Sequence, residues 1–226
     1  MSKTTTEFIF FKVKPSVRPE DPRNAEGVGL LKVFSEAQHQ SGHENSVWGR
    51  AEEDENIIVW VLDWTDARSF AKTEDLSSYL DPDAQPPTTI YTTLTPPLSS
   101  TNTLTSNPIT ELCALTFSNA LSVPETKKLH SDLINFRTAL LDHLPQEVAP
   151  KSWSMGQVDR PSIVQHAKSP SGKAVMHFMV VGWESVAVHK KARETDQFIN
   201  SITPIREKSL GAIPGLDMKH VSFRKI

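Results

Sequence analysis

Apolar and polar positions along the 226-residue chain fall into two successive runs of the same order. The first opens with a strand-like stretch, Glu7–Val13 ("EFIFFKV"). A polar, Pro-containing turn follows, then a helical pattern to about Gln40 with Leu30 or Leu31, Phe34 and Ala37 at helical spacing. Ser46–Ala51 reads as a second strand, "EEDEN" as a charged turn, and Ile57–Leu62, leading to Trp64, as a third strand. A short helix is expected over roughly Thr65–Asp75 and a closing strand over Thr88–Leu94. The second run has a strand at Glu111–Phe117 and a helix at Pro124–Leu144 whose stripe is Leu129, Leu133, Phe136, Leu140 and Leu144. Strands follow at Ser152–Val158 and Ala174–Val181, with a mainly helical stretch over Glu184–Asn200. Thr203 and Pro204 suit the start of a second short helix ending at Gly211, and Leu216–Phe223 closes the run as a strand.

The order is βαββαβ, twice, which is the ferredoxin-like unit. Thr95–Pro108, uncharged and half Ser or Thr, reads as a flexible linker between an N-terminal unit (1–94) and a C-terminal unit (109–226). The third strands are apolar on both faces: Ile58, Trp60 and Leu62 against Ile57, Val59 and Val61, and Val175, His177, Met179 and Val181 against Met176, Phe178 and Val180. Such strands need cover on both sides. Helices supply one cover and the other unit's sheet supplies the second. The expected fold is therefore α+β, two fused ferredoxin-like repeats whose sheets pack into one pseudo-dimeric α+β barrel. One copy suffices to close it, and homo-dimerisation is compatible with that.

Composition narrows the partners. With 38% apolar and 23% charged residues and a net charge of −3, nothing points to nucleic acid or an anionic membrane. No stretch approaches the roughly 18 apolar residues of a membrane span. The N-terminal "MSKTTTEFIFFKVKP" lacks a signal-peptide layout. A single cysteine, Cys113, excludes an internal disulfide and multi-cysteine metal sites, and suits a reducing, cytoplasmic setting. No His and carboxylate pair has metal-motif spacing, and Gly27–Gly29 lacks the rest of a dinucleotide fingerprint, so neither metal nor cofactor is expected.

At the end of the second third strand stand Trp183, Glu184 and Ser185, followed by Ala187, His189 and Phe198; the first run keeps Trp64, Ala67 and Phe70 but no His. On these residues the chain resembles the dimeric α+β barrel superfamily, more narrowly its antibiotic biosynthesis monooxygenase-like domains, with both halves in one polypeptide. The resemblance implies a cofactor-free tailoring enzyme (oxygenase, cyclase or isomerase) acting on a small aromatic or polyketide-like molecule in an apolar pocket. A non-catalytic small-molecule-binding or stress-response barrel, and a purely structural barrel, are the rival readings. Haem-degrading relatives carry an Asn in the first strand and a His about ten residues past the Trp. Here "ELCALTF" has no Asn and the tenth residue past Trp183 is Arg193, or Glu74 past Trp64, so haem is not expected.

His177 is the candidate acid/base. It lies mid-strand on the face of Met179 and Trp183, and its mates in the other half, aligned on the tryptophans, are Ile58 for His177 and Trp60 for Met179. Trp183, Met179 and Trp153 are candidate pocket walls, with His189 beside them. The plainer reading makes His177 a core histidine, Trp64 and Trp183 aromatic anchors, Trp48 and Trp153 matched core residues, and Cys113 a small core residue. In that reading His189 rides a solvated basic face with Lys190, Lys191 and Arg193, and His220 goes either way.

Overall fold

A computed structural model describes residues 4–65, 69–98 and 103–226. The order is β1 (Thr5–Lys12), α1 (Ala25–Ala37), β2 (His43–Ala51), β3 (Ile57–Trp64), β4 (Thr88–Thr92), α2 (Thr103–Ser106), β5 (Ile109–Ser118), α3 (Val123–Thr138), β6 (Ser152–Arg160), β7 (Val164–Gln165), β8 (Lys173–Trp183), α4 (Val186–Ala192), α5 (Asp196–Arg206) and β9 (Lys219–Lys225). All strand pairs are antiparallel. The sheet runs β5-β9-β2-β3-β1-β4-β6-β8-β7, and β5 also pairs with β8. That extra pairing closes an eight-strand barrel, with the short β7 outside it. Within each half the relative order is the same, β4-β1-β3-β2 and β9-β5-β8-β6. The two seams between halves are β2–β9 and β4–β6.

Strand alternation then assigns every face. Phe8, Phe10, Val59, Val61, Met176, Phe178, Val180, Val221 and Phe223 fill the barrel interior. Phe178 of the C-terminal half meets Phe8 and Phe10 of the N-terminal half at ring-centroid distances of 4.7 and 6.2 Å. The outer faces carry two separate helix-side cores: Ile9, Phe34, Trp48, Ile58, Trp60, Leu62 and Trp64 in one half, and Leu129, Leu133, Phe136, Trp153, Met179, Val181, Trp183 and Phe198 in the other. The starts of α1, α3, α4 and α5 are fixed locally. Asn24, Ser122, Ser185 and Thr195 accept from backbone N–H groups of α1, α3, α4 and α5, and Ser122 with Glu125 forms a capping box.

Three local expectations are corrected. The segment 95–108 is not a free linker: Leu98 and Leu104 are buried in the barrel interior and 103–106 is helical, while residues 99–102 lie outside the described residues. Two leucines in a Ser/Thr run suffice to plug an open barrel end. The helix expected over 65–75 is, where described, only a single 3₁₀ turn at Glu74–Leu76; 66–68, with Ala67, lie outside the described residues. Pro204 lies inside α5 and does not open a new helix, because Thr195 caps α5 eight residues before Thr203 and Pro204 falls in its last turn. At the opposite barrel end the stretch before β9 folds inward, with Leu216 in the interior core and the Thr116 hydroxyl bonded to the Gly211 carbonyl.

Both seams run past a glycine. A Cβ on Gly49 meets the Ser222 carbonyl oxygen at 2.4 Å across β2–β9, and one on Gly156 meets the Thr93 carbonyl oxygen at 2.2 Å across β4–β6. Backbone cannot step aside as a side-chain tip does, so Gly49→Ala and Gly156→Ala each destabilise by about 1–3 kcal/mol, with roughly additive loss in the double variant. Thermal melts check this, at roughly 2–4 °C per kcal/mol for a chain of this size; unchanged melting of either single variant contradicts the seam.

Candidate functional site

Each half starts its first strand with a buried glutamate and ends its third with a fully buried tryptophan that donates to it. Trp64 Nε1 donates to Glu7 Oε2 at 2.8 Å, and Trp183 Nε1 to Glu111 Oε2 at 3.0 Å. Pairing places Tyr91 of β4 opposite Glu7 and His220 of β9 opposite Glu111. The two sites share this frame and differ in what completes it.

In the N-terminal half the carboxylate is locked. Glu7 Oε2 also accepts from the Ala71 N–H at 2.9 Å, and Oε1 accepts from the Tyr91 hydroxyl at 2.7 Å. The Arg160 guanidinium lies 3.8 Å from the Tyr91 ring centroid. Burial pushes the Glu7 carboxyl up and the Tyr91 hydroxyl up, so Tyr91 stays protonated as the donor to Glu7.

In the C-terminal half the carboxylate joins a chain of titratable groups. His189 Nε2 lies 3.4 Å from Glu111 Oε2, His189 Nδ1 is 2.8 Å from His220 Nε2, and His220 Nδ1 is 2.6 Å from Glu53 Oε1. The His220 backbone N–H also donates to Glu53, at 3.0 Å to Oε2. The His189 ring stacks on Trp183 at 4.6 Å and 15°. Glu111, His189 and His220 are buried, whereas the Glu53 side chain is 44% exposed, so the chain has one dry end and one wet end.

Burial, helped by His220 and Arg193, pushes the His189 imidazole down to about 3. Burial pushes the Glu111 carboxyl up despite the Trp183 N–H, His220 and Arg193. The 3.4 Å contact brings the two groups within ion-pair distance, and burial disfavours the charged form of both. Burial also raises Glu53, but the His220 side chain and backbone N–H outweigh it and hold Glu53 below the usual carboxylate range. One proton assignment gives every bond a donor: Glu111 protonated and donating to His189 Nε2, His189 Nδ1–H donating to His220, and His220 Nδ1–H donating to ionised Glu53. Moving each proton one step outward leaves Glu111 ionised and places a proton on exposed Glu53. The arrangement is a chain of four groups, called here the wire, with two internally satisfied proton placements.

The residues singled out by sequence divide between this wire and the core. Trp183 and His189 are in it. His189, read as solvated because of Lys190, Lys191 and Arg193, is 1% exposed, because the α4 helix turns its 189 and 192 positions toward the sheet. Trp183, Glu184 and Ser185 have three separate jobs: Trp183 donates to Glu111, Glu184 pairs with Lys151 on the surface, and Ser185 caps α4. Met179 and Trp153 pack in the helix-side core with Leu133 and Phe136, and Trp153 meets Phe136 edge-on at 5.8 Å. His177 is buried apart from them, edge-on to Phe117 and His130 at 5.7 and 5.9 Å. Glu111, His220 and Glu53 were not singled out as a site. The available signal was the glutamate that opens both "EFIFFKV" and "ELCALTF" on the face of the terminal tryptophans. Cys113 is partly buried on that face too, its thiol pushed up by burial and by Glu111, hence unreactive. Among the described residues no group of three or more His, Cys, Asp or Glu side chains is placed to hold a metal ion. Among the described residues no helix is long and apolar enough to cross a membrane.

Two openings flank these elements. A groove of about 330 Å³ is lined by Lys190, Arg193, Glu194 and Arg206 on the α4 and α5 side, and Arg193 is close enough to lower the proton affinity of both Glu111 and His189. A cleft of about 220 Å³ opens at the barrel end, between the segments before β4 and before β9.

No family model matches the chain, and no curated protein matches it in sequence. Solved structures share its fold at low identity. A monooxygenase candidate from Lactobacillus acidophilus NCFM is 8% identical with a TM-score of 0.54, covering 98% of this chain and 94% of that one. A chlorite dismutase candidate is 10% identical with a TM-score of 0.60, covering 100% and 96%. An anthrone oxidase-like protein is 10% identical with a TM-score of 0.60, covering 100% and 94%. The chain thus has the mixed α+β fold of the dimeric α+β barrel proteins, with an eight-strand antiparallel barrel.

Burial, then His130, pushes the His177 imidazole down to about 4. Unfolded chain takes up this proton from about pH 6.5 downward while folded chain refuses it until about pH 4, so stability falls as pH falls through that window, by up to roughly 3 kcal/mol. His189 acts in the same direction, and Asp63, pushed up to about 6 mainly by burial, opposes both. Urea denaturation at several pH values isolates the group: His177→Leu removes up to one proton from the slope between about pH 6.5 and 4. Parallel curves for wild type and variant contradict a His177 held neutral.

Proposed function

We propose that the chain is a cofactor-free, oxygenase-type tailoring enzyme for a small electron-rich phenol or enol. We read its two halves as fused ferredoxin-like repeats akin to the antibiotic biosynthesis monooxygenase-like domains. The observation that carries the proposal is the wire from buried Glu111 through His189 and His220 to exposed Glu53, present in one half and replaced by the Glu7–Tyr91 lock in the other. Burying a carboxyl group and two imidazoles is expensive unless they are bonded to one another or used. The likeness to monooxygenase candidates and to an anthrone oxidase-like protein agrees with this reading of the chemistry.

In this proposal a neutral phenol or enol docks on the Arg193 side of α4, where the guanidinium offsets the charge that develops, and Glu111 is the base once its proton has left through the wire. Glu111 then removes the proton from the acidic carbon or hydroxyl, and the dry surroundings exclude water. The resulting enolate reacts with O2 to form a hydroperoxide, and loss of water leaves a quinone. One O2 thus supplies one quinone oxygen and one water, with anthrone going to anthraquinone as the balanced example. His177, the candidate base from sequence, is replaced in this role because ring edges surround it where His189 has a carboxyl group and a second imidazole. Trp183 orients Glu111 and stacks on His189, which becomes part of the wire, while Met179 and Trp153 support the layer beneath.

A second reading, a non-catalytic small-molecule-binding barrel, is favoured by one observation. Leu133, Phe136 and Phe198 fill the helix-side layer over Met179 and Trp153, while the barrel end holds an apolar cleft. Oxygen uptake with anthrone and simple hydroquinones separates the two. Wild-type protein accelerates uptake, Glu111→Gln and His220→Gln lower the rate by about 10²–10⁴, and Tyr91→Phe, confined to the lock, stays close to wild type. No acceleration by the wild type, or a full rate in Glu111→Gln, overturns the enzyme reading.

A further inference from the structure

β9 presents consecutive side chains to opposite faces of the sheet. His220 enters the helix-side wire, and Lys219, on the face of Val221 and Phe223, points into the barrel. Lys219 lines the barrel-end cleft, whose apolar wall is Phe10, Phe11, Ile57 and Pro86. The lysine is only 6% exposed. Its ammonium donates to the Asp217 carbonyl at 3.2 Å, and among the described residues no carboxylate lies within ion-pair distance of it. Lys12, the other cation of the cleft, is already paired with Asp54 at 3.0 Å. A buried ammonium has three donors to satisfy and a charge to offset, and here one backbone carbonyl serves it.

We propose that this cleft is a binding site for a small apolar monocarboxylate, with the carboxylate on Lys219 and the hydrocarbon body against Phe10, Ile57 and Pro86. Charge sets the valence: the exposed Asp217 side chain at the rim disfavours a second negative group. Volume sets the size. A space of about 220 Å³, at about 30 Å³ per water, holds roughly seven waters, enough for one ring bearing a carboxylate but not for a fused tricycle. The site is separated from the wire by the sheet itself and does not depend on any turnover there.

Benzoate is the probe, with benzyl alcohol as its uncharged counterpart, and titration calorimetry at fixed ionic strength is the readout. Wild type binds benzoate saturably and one to one. Benzyl alcohol, and benzoate with Lys219→Met, bind at least tenfold more weakly, equivalent to about 1.4 kcal/mol. Lys219→Arg retains binding, and Ile57→Trp, which fills the cleft while leaving the charge, abolishes it. Thermal melts establish that each variant is folded; where Lys219→Met is not, Ile57→Trp and benzyl alcohol decide. Absence of saturable binding to wild type up to the millimolar range, benzoate affinity in folded Lys219→Met within threefold of wild type, or unchanged affinity in Ile57→Trp overturns the proposal. Oxygen uptake is measured separately, so a failed binding site and a failed wire give different results.

Discussion

The whole architecture follows from one constraint: strands β3 and β8 are apolar on both faces, and a four-stranded sheet under its own helices can cover only one of them. Each half therefore buries its inner face against the other, and the contact of Phe178 with Phe8 and Phe10 lies where the halves meet. Closure also removes the sheet edges that open halves would expose. It demands that backbone approach backbone at both seams, hence glycine at 49 and 156, and that both barrel ends be stopped, hence Leu98 and Leu104 at one end and Leu216 at the other.

Closure is also what makes the two tryptophan–glutamate sites unequal. Glu53 comes from the turn after β2 and His220 from β9, so the outer half of the wire exists only because the β2–β9 seam forms. At the other seam, β4–β6, the corresponding neighbours are Tyr91 and Arg160, a phenol and a permanent cation. A guanidinium does not give up a proton near neutrality, whereas a carboxylate or an imidazole can take one up and release it. The same frame thus ends in a phenol and a guanidinium at one seam and in a chain of titratable groups at the other.

Most strands were legible in the chain because period-two patterns are local, whereas the second helix expected in the first half is, where described, only a 3₁₀ turn. The doubly apolar strands even implied the barrel. What escaped were features decided by distant partners. His189 sits among Lys190, Lys191 and Arg193, and only its packing on Trp183, set by how α4 docks, shows that it faces inward. Glu111 looks like an ordinary polar position until the pleat is seen to place it beside Trp183, and the Glu53–His220 bond joins residues 167 apart in sequence. Leu98 and Leu104 were masked by the Ser/Thr composition around them, although a plug needs only two apolar side chains at the right opening.

Lys219 and His220 show how a barrel of this kind holds two chemistries without mixing them. Because strand side chains alternate, a single peptide step places one cationic group inside the barrel and one imidazole in the helix layer. The interior is a tightly packed apolar volume in which an unpaired ammonium is tolerable only near an opening that admits a counter-charge, and the cleft supplies that opening. The helix layer instead has polar neighbours from another part of the chain, so the imidazole finds a carboxylate and a second imidazole to bond with. The sheet between the two layers, with its backbone groups already bonded to one another, offers no path for a proton from one to the other.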